Sequence, residues 1–441
     1  MNMKKIKTPS LINIMSEKEI NEEFLPQLEN ATKNLFKILY QLNSSLTLPP
    51  RELSFALMKE ADEVESFLDE FGANQNRKFF FFRELVATIR WFNFYLFQGL
   101  HLYARLKHYK LQIHTKEFKQ FKTELKNHLM FAYKVIKKIS NKIFEEGKNL
   151  GLKSIKKSTT PEKLFPQLQR KILPPDLVIE KTEEKEETIF KILIKYLNVC
   201  EEFNLFYCRK REFLKEEPVE KYRSLFHQLE SLYDTYVKNT NYEIEIPDFQ
   251  KIRGHIAVSW HLLEMAKSIA HFYERHIEKL QNSDIYYKIM DCIGDEKKLF
   301  EITEKFLFSF VLKFSMKGKE ICETIFNKMG KKPEEFLIET KILTIPSYRI
   351  EDFHIRPIMP VTQIANQYSL DLFLYFKRKK YNLKSPIEMA IAIPDIREDL
   401  SKENVQIIIQ GPRAGVLKIV EFFKEKVGAF EQELKCEILM S

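Results

Sequence analysis

Phe353-His354-Ile355-Arg356-Pro357 is a stretch whose side chains are spaced for recognisable chemistry. An imidazole, then a guanidinium two residues on, then a proline stand between an extended run (Lys341-Ile342-Leu343-Thr344-Ile345) and a segment of helical periodicity. That order puts His354 where a strand gives way to a helix. Proline suits the first positions of a helix, because the backbone N–H groups there have no intrahelical partner. Those free donors and the positive end of the helix dipole favour an anion. The planar fork of Arg356 is shaped for phosphate. A histidine so placed is suited to carrying a phosphoryl group, with His354 as acceptor and Arg356 beside it.

A second set of candidates lies upstream. His261, Glu264, Ser268, His271 and Arg275 fall at spacings of three and four, so one helix would present them on one face. His101-x-Tyr103-x-Arg105 has the same pattern as His271-x-Tyr273-x-Arg275. Two readings follow. Either these groups satisfy one another inside a helical bundle, or His261, Glu264, His271, Arg275, His101 and Arg105 serve an anion or regulatory site. No metal is expected, since His261 and His271 are ten residues apart and neither belongs to a tight ligand pair. His255 and His276 lie off that face and are expected on the surface.

The elements that must hold these residues follow from composition. With 441 residues the chain is long enough for roughly two to four domains. Its 44% apolar and 13% aromatic content excludes wholesale disorder. Only 11 glycines beside 37 phenylalanines mean few turns, so long helices are expected. A net charge of +9 spread over 71 basic and 62 acidic residues is a mild bias. No basic segment coincides with a nucleic-acid-binding motif, so no nucleic-acid partner is expected. Five cysteines without paired spacing suit a reducing compartment. Met1 to Met15 lacks the apolar core of a signal peptide. The most apolar windows, 79–103 and 306–314, are interrupted by charge or too short to span a bilayer, so neither membrane insertion nor a compartment other than the cytoplasm is expected.

Helical periodicity runs through two blocks, 17–152 and 180–336, separated by a Ser/Thr/Pro-bearing linker at 153–179. The blocks resemble each other. Phe36-Lys37-Ile38-Leu39 recurs as Phe190-Lys191-Ile192-Leu193, and Glu65-Ser66-Phe67-Leu68-Asp69 as Glu230-Ser231-Leu232-Tyr233-Asp234. Trp91 followed by His101-x-Tyr103-x-Arg105 recurs as Trp260 followed by His271-x-Tyr273-x-Arg275. Ile139-x-x-x-Ile143-Phe144 recurs as Ile321-x-x-x-Ile325-Phe326. The matches keep their order at offsets of 154, 165, 170 and 182, which drift as loop insertions would make them. An internal duplication is expected.

From about residue 338 to 432 the texture changes to strand, helix, strand, basic turn (Lys377-Arg378-Lys379-Lys380), short strand, helix, strand and long helix. The expected fold class is thus multidomain: a duplicated all-α module followed by a C-terminal α+β open-faced sandwich. This element order, with His354-Ile355-Arg356-Pro357 opening the first helix, resembles HPr, the histidine phosphocarrier of the bacterial sugar phosphotransferase system. Lys384-Ser385 opens the second helix 31 residues beyond His354, the separation the family keeps before its regulatory serine. The resemblance covers about a fifth of the chain. It implies that His354 accepts a phosphoryl group from an Enzyme I-type donor or another phosphotransferase-system protein, without a cofactor, and that Ser385 is a candidate regulatory phosphosite. The alternative is an interaction module in which the HPr-like fold serves only for docking. A third class, an enzyme centred on His101, His271 and Arg275, has only the polar stripe in its favour.

The chain departs from the family pattern at several places. Asp352-Phe353 stands where Gly-Leu is usual, and a carboxylate there opposes a phosphate. Ile358 replaces a small residue. Pro360 would sit in the second turn, so the helix is expected to start late or to kink. Pro386 is compatible with a serine N-cap at 385. The segment 394–403 is expected to form an extra surface loop.

Overall fold

The computed structural model describes residues 14–152, 186–208, 213–330, 338–368, 371–377 and 379–432. The expected linker at 153–179 lies outside the described residues. A helical part is followed by an α+β domain.

In the helical part, α1 (Glu17–Glu19) is opened by a capping box on Ser16 and leads through a π-helical turn into α2 (Leu25–Ser44). The Pro49-Pro50 pair separates α2 from α3 (Arg51–Glu70), with Pro50 extended at the N-cap. Gly72 takes φ 72°, a left-handed turn that suits glycine, before α4 (Phe80–Arg105). Next come α5 (Thr115–Asn149), α6 (Glu186–Cys208), α7 (Glu216–Tyr236), the short α8 (Asn241–Glu245) and α9 (Asp248–Phe272). A π-helical turn (Tyr273–Ile277) then leads to α10 (Asp284–Ile293), α11 (Glu296–Glu301), a second π segment and α12 (Ser309–Lys328).

The repeated motifs fall on corresponding helices in order: α2 and α6, α3 and α7, α4 and α9, α5 and α12. The likeness extends to side-chain geometry. Arg83 of α4 holds Asp69 through two bonds (2.8 and 2.7 Å) and reaches Glu65 at 3.1 Å, both on α3. Arg253 of α9 holds Asp234 through two bonds (2.7 and 2.8 Å) and reaches Glu230 at 2.7 Å, both on α7. The two acids belong to the repeated motif, and the arginines stand eight and seven residues before the two tryptophans.

The chain forms two compact units, and neither is continuous in sequence. One consists of the described parts of Met1–His101, Leu125–Lys171 and His271–Lys298. The other consists of the described parts of Leu102–Glu124, Ile172–Ala270 and Leu299–Ser441. In the first, Phe24 packs among Phe67, Phe71 and Phe79, and Tyr40 stacks on Phe144 at 4.3 Å. In the second, Phe203 sits between Tyr222 and Phe308, and Phe121 packs on Phe310 and Phe314. Gly318 of α12 is required there, because a Cβ would overlap the Tyr196 hydroxyl.

The α+β domain belongs to the second unit. Its strands are β1 (Ile338–Ile345), β2 (Phe373–Phe376), β3 (Lys379–Asn382), β4 (Val405–Pro412) and β5 (Phe430–Gln432), and its helices are α13 (Ile355–Ile358), α14 (Pro360–Ala365), α15 (Pro386–Leu400) and α16 (Arg413–Val427). The sheet is antiparallel throughout, in the order β3-β2-β4-β1-β5. Alternation puts Leu343 and Ile345, Leu374 and Phe376, Ile407 and Ile409 on one face. There they form a core with Met389 and Ile393 of α15 and Val416, Ile419 and Phe423 of α16. Helix α6 lies against β1. Burial raises the pKa of its Glu201, which is paired with Lys319 at 3.3 Å and lies in the field of Glu339 and Lys341 of β1.

Three local expectations are revised. Residues from 394 to 400 are not a loop: α15 continues through Pro394. An interior proline costs about 3 kcal/mol. Ile393, Ile396 and Leu400, buried on the same stripe as Met389, offset it at roughly 1.5–3 kcal/mol each. At Pro360, where a late start or a kink is expected, a one-turn α13 ends at Ile358 and Pro360 takes the first position of a new helix, α14. Phe430, expected to end the last helix, instead opens an edge strand (Phe430–Gln432) that pairs with β1 at Thr344–Phe430.

Candidate functional site

His354 does not follow its strand directly. β1 ends at Ile345, and a 3-10 segment (Ser347–Asp352) intervenes. That segment is held by Ser347 N–H donating to Asn404 Oδ1 at 2.9 Å and by Arg349, whose guanidinium donates to the Lys426 carbonyl at 3.2 Å. Phe353 is fully buried and stacks on Phe423, so the residue before the histidine is an anchor. His354 then takes an extended backbone (φ −139°, ψ 174°) as N-cap of α13, and its imidazole caps no N–H group. The side chain is half-buried.

Arg356, two residues on, is exposed. The other described arginines of the domain are paired: Arg349 with Asp352 at 2.6 Å, Arg397 with Glu351 at 3.5 Å, Arg413 with Glu339 at 3.1 Å. Among the described residues Arg356 has no such partner. Asp352, the carboxylate that would oppose a phosphate, is therefore engaged by Arg349, while the guanidinium nearest His354 in sequence keeps its fork open.

The helix beside them is short. α13 is a single turn, and Met359 keeps right-handed helical angles (φ −52°, ψ −33°) before Pro360 restarts the helix. One turn carries little of the dipole of a long helix, so the helix start alone offers little positive charge beside His354.

Ser385 is the N-cap of α15 and accepts from Glu388 N–H at 3.2 Å. Glu388 in turn accepts from Asn382 N–H at 2.7 Å. α13 lies beside α15, and three isoleucines of these helices are exposed: Ile355 (48%), Ile387 (74%) and Ile391 (54%). Single exposed apolar residues are ordinary, whereas neighbours on adjoining helices make a contact surface.

The polar residues of the helical part are distributed over different partners. Glu264 is buried and accepts from Arg223 of α7 at 2.8 Å and from Trp260 Nε1 at 3.1 Å. His261 is buried beside Trp260, with ring centroids 4.6 Å apart. Ser268 donates to the Met265 carbonyl. His271 stacks on Trp91 of α4 at 3.8 Å, and Arg275 is exposed on the π turn. His101 is half-buried and Arg105 exposed, the latter hydrogen-bonded to Tyr109.

His255 and His276, expected on the surface, are buried. His276 Nδ1 lies 3.1 Å from Glu84 Oε2 and 3.4 Å from Arg83 Nη1. With Glu65 and Asp69 this is an ionic cluster that reading the sequence did not assemble. Its one visible signal was the repeated Glu-x-x-x-Asp, which puts two carboxylates on one helix face. His255 Nε2 accepts from Gln112 N–H at 3.2 Å, and burial drives its pKa down to about 4.

Among the described residues no cluster of three metal-ligating side chains occurs, and no helix is long and apolar enough to cross a membrane. Comparison with protein-family models, curated proteins and solved structures finds no match for this chain, so the likeness to HPr rests on its residues and element order.

Proposed function

We propose that the C-terminal domain is an HPr-like phosphocarrier module, in which His354 accepts a phosphoryl group from the phosphohistidine of an Enzyme I-type donor in the cytoplasm. An imidazole nitrogen of His354 attacks phosphorus, the N–P bond to the donor's histidine breaks, and the donor ring leaves with the electron pair. Arg356 neutralises charge on the phosphoryl oxygens as they pass. The observation that carries this reading is the exposed guanidinium of Arg356, without a carboxylate partner among the described residues and two residues from the half-buried His354, in a domain whose other described arginines are matched to carboxylates. The order strand, helix, strand, strand, helix, strand, helix from β1 to α16 supports it, with β5 an addition beyond that order. In this reading the helical part receives or localises the signal.

A second reading, a docking module without phosphoryl chemistry, is favoured by the exposed Ile355, Ile387 and Ile391, which would hold a partner by apolar contact alone. One experiment separates the two. The full chain is incubated with Enzyme I and radiolabelled phosphoenolpyruvate, beside His354→Ala and Arg356→Met. Acid-labile label that vanishes in His354→Ala and forms roughly tenfold or more slowly in Arg356→Met is expected for a carrier. Absence of label with the cognate donor, while Ile387→Asp still weakens a captured partner, would sink the carrier reading in favour of docking.

A further inference from the structure

The two compact units and the two sequence repeats do not divide the chain in the same way, and the mismatch is reciprocal. The unit built on α2, α3 and most of α4 omits Leu102–Glu124 of its own repeat and contains His271–Lys298 of the other. The unit built on α6, α7 and most of α9 omits His271–Lys298 and contains Leu102–Glu124. These segments correspond. Each begins at the repeated His-x-Tyr-x-Arg, within one residue of the matched histidines His101 and His271. Each passes through a 3-10 turn, Leu106–His108 in one and Glu278–Leu280 in the other.

Their packing corresponds as well. In the first unit His276, from the second repeat, meets both Arg83 and Glu84 through its Nδ1. Phe272 meets Phe92 edge-on at 5.2 Å, and His271 covers Trp91. In the second unit Tyr109, from the first repeat, lies in the field of Glu230 and Arg253, the counterparts of Glu65 and Arg83. Tyr109 to Leu111 press on Gly254, where a Cβ would come within 3.3 Å of the Lys110 nitrogen. Gln112 N–H donates to His255, and Phe121 fills a cluster of Phe306, Phe310 and Phe314. In both units a ring from the imported segment is set near the repeated Arg–Glu–Asp cluster, in contact with Arg83 in the first and within the field of Glu230 and Arg253 in the second.

We infer that the helical part is a tandem duplication in which each module is completed by the same segment of its sister, so the partner surface of a module fits a second copy of itself. Exchange of an identical element is a low-cost route by which a single module pairs with its copy, and here one chain supplies both copies. This inference is independent of the phosphoryl reading. Its consequence is that neither module is a folded body without the other.

The test uses the full chain carrying a protease recognition sequence between residues 152 and 186. After cleavage the two fragments should elute together at the mass of the intact chain and part only in denaturant. Fragments that separate while each keeps its helical circular dichroism would overturn the inference. Hydrogen exchange on the uncut chain supplies a crossed readout. Phe272→Leu should speed exchange about tenfold in α3 and leave α7 within about twofold, whereas Phe121→Leu should loosen α12 and spare α2 and α3. If each substitution instead loosens only the helices of its own repeat, the exchange is refuted.

Discussion

Two arginine–histidine pairs in this chain look alike in composition and differ in everything around them. Arg356 and His354 stand at a domain surface, the guanidinium exposed and unmatched among the described residues. His276 is buried and Arg83 half-buried, and Arg83 is bonded to Asp69, Glu84 and Glu65. Burial works against the charge of Arg83, but the three carboxylates outweigh it and raise its pKa above the ordinary arginine value. A phosphoryl group brought to His276 would meet those carboxylates and no free donor. At His354 it would meet an open fork. Saturation makes one pair a structural joint, and the lack of it makes the other a candidate site.

The comparison is tested most severely by removing each arginine. Arg83→Met removes the cation shared by Glu65, Asp69 and Glu84. Glu65 keeps Arg90 and Asp69 is exposed, so the loss is expected at or below the low end of a broken buried pair, about 3 kcal/mol. Arg356→Met is a surface change expected to stay within about 0.5 kcal/mol. Urea titration of the two variants checks both values. Equal losses would mean that Arg356 is an ordinary ion-pair partner and that its openness is not what distinguishes it.

How much of this was legible beforehand depends on how local the cause is. The α+β order could be read because Ile342 to Ile345 and Val405 to Ile409 are extended apolar runs, while α16 carries an apolar stripe. His354 and Arg356 could be read because their chemistry is written two residues apart. The freedom of Arg356 could not, because it is defined by what Asp352 and Glu351 do instead, and Glu351 pairs with Arg397, 46 residues away. His276 was misplaced for the same reason: its carboxylate, Glu84, lies 192 residues distant. Pro394 was read by a local rule that the buried stripe of α15 overrides. β5 is three residues long and exists only because β1 offers an edge.

His255 extends the comparison to a third histidine, buried without a carboxylate. Burial is the main cause of its low pKa, and Lys317 of α12 adds to it. Between that value of about 4 and the unfolded value of about 6.5 the native ring stays neutral while the unfolded ring takes up a proton. Stability present above about pH 6.5 is therefore lost as pH falls toward 4, by an amount on the order of 2–3 kcal/mol. His255→Gln, which keeps an acceptor for Gln112 N–H, should flatten the stability–pH curve in that window by about one proton. An unchanged slope in the variant would show that His255 titrates freely and that burial does not silence it.

The smallest effect concerns Ser385, where a capping role and a regulatory role make different demands on one hydroxyl. Its Oγ satisfies Glu388 N–H, and Pro386 and Glu388 complete an ordinary helix start. Ser385→Ala should thus cost about 1 kcal/mol in a urea titration, and Ser385→Asp, a good N-cap itself, should recover all but a few tenths. Capping alone also requires that the proposed labelling of His354 be indifferent to both changes, with rates within about twofold. A Ser385→Asp chain that is as stable as the wild type yet labelled more than about tenfold more slowly would assign the position a charge-sensing role. The exposed Ile387 and the isoleucines around it offer the surface through which an added negative charge at 385 would act, by desolvating poorly against a docked partner.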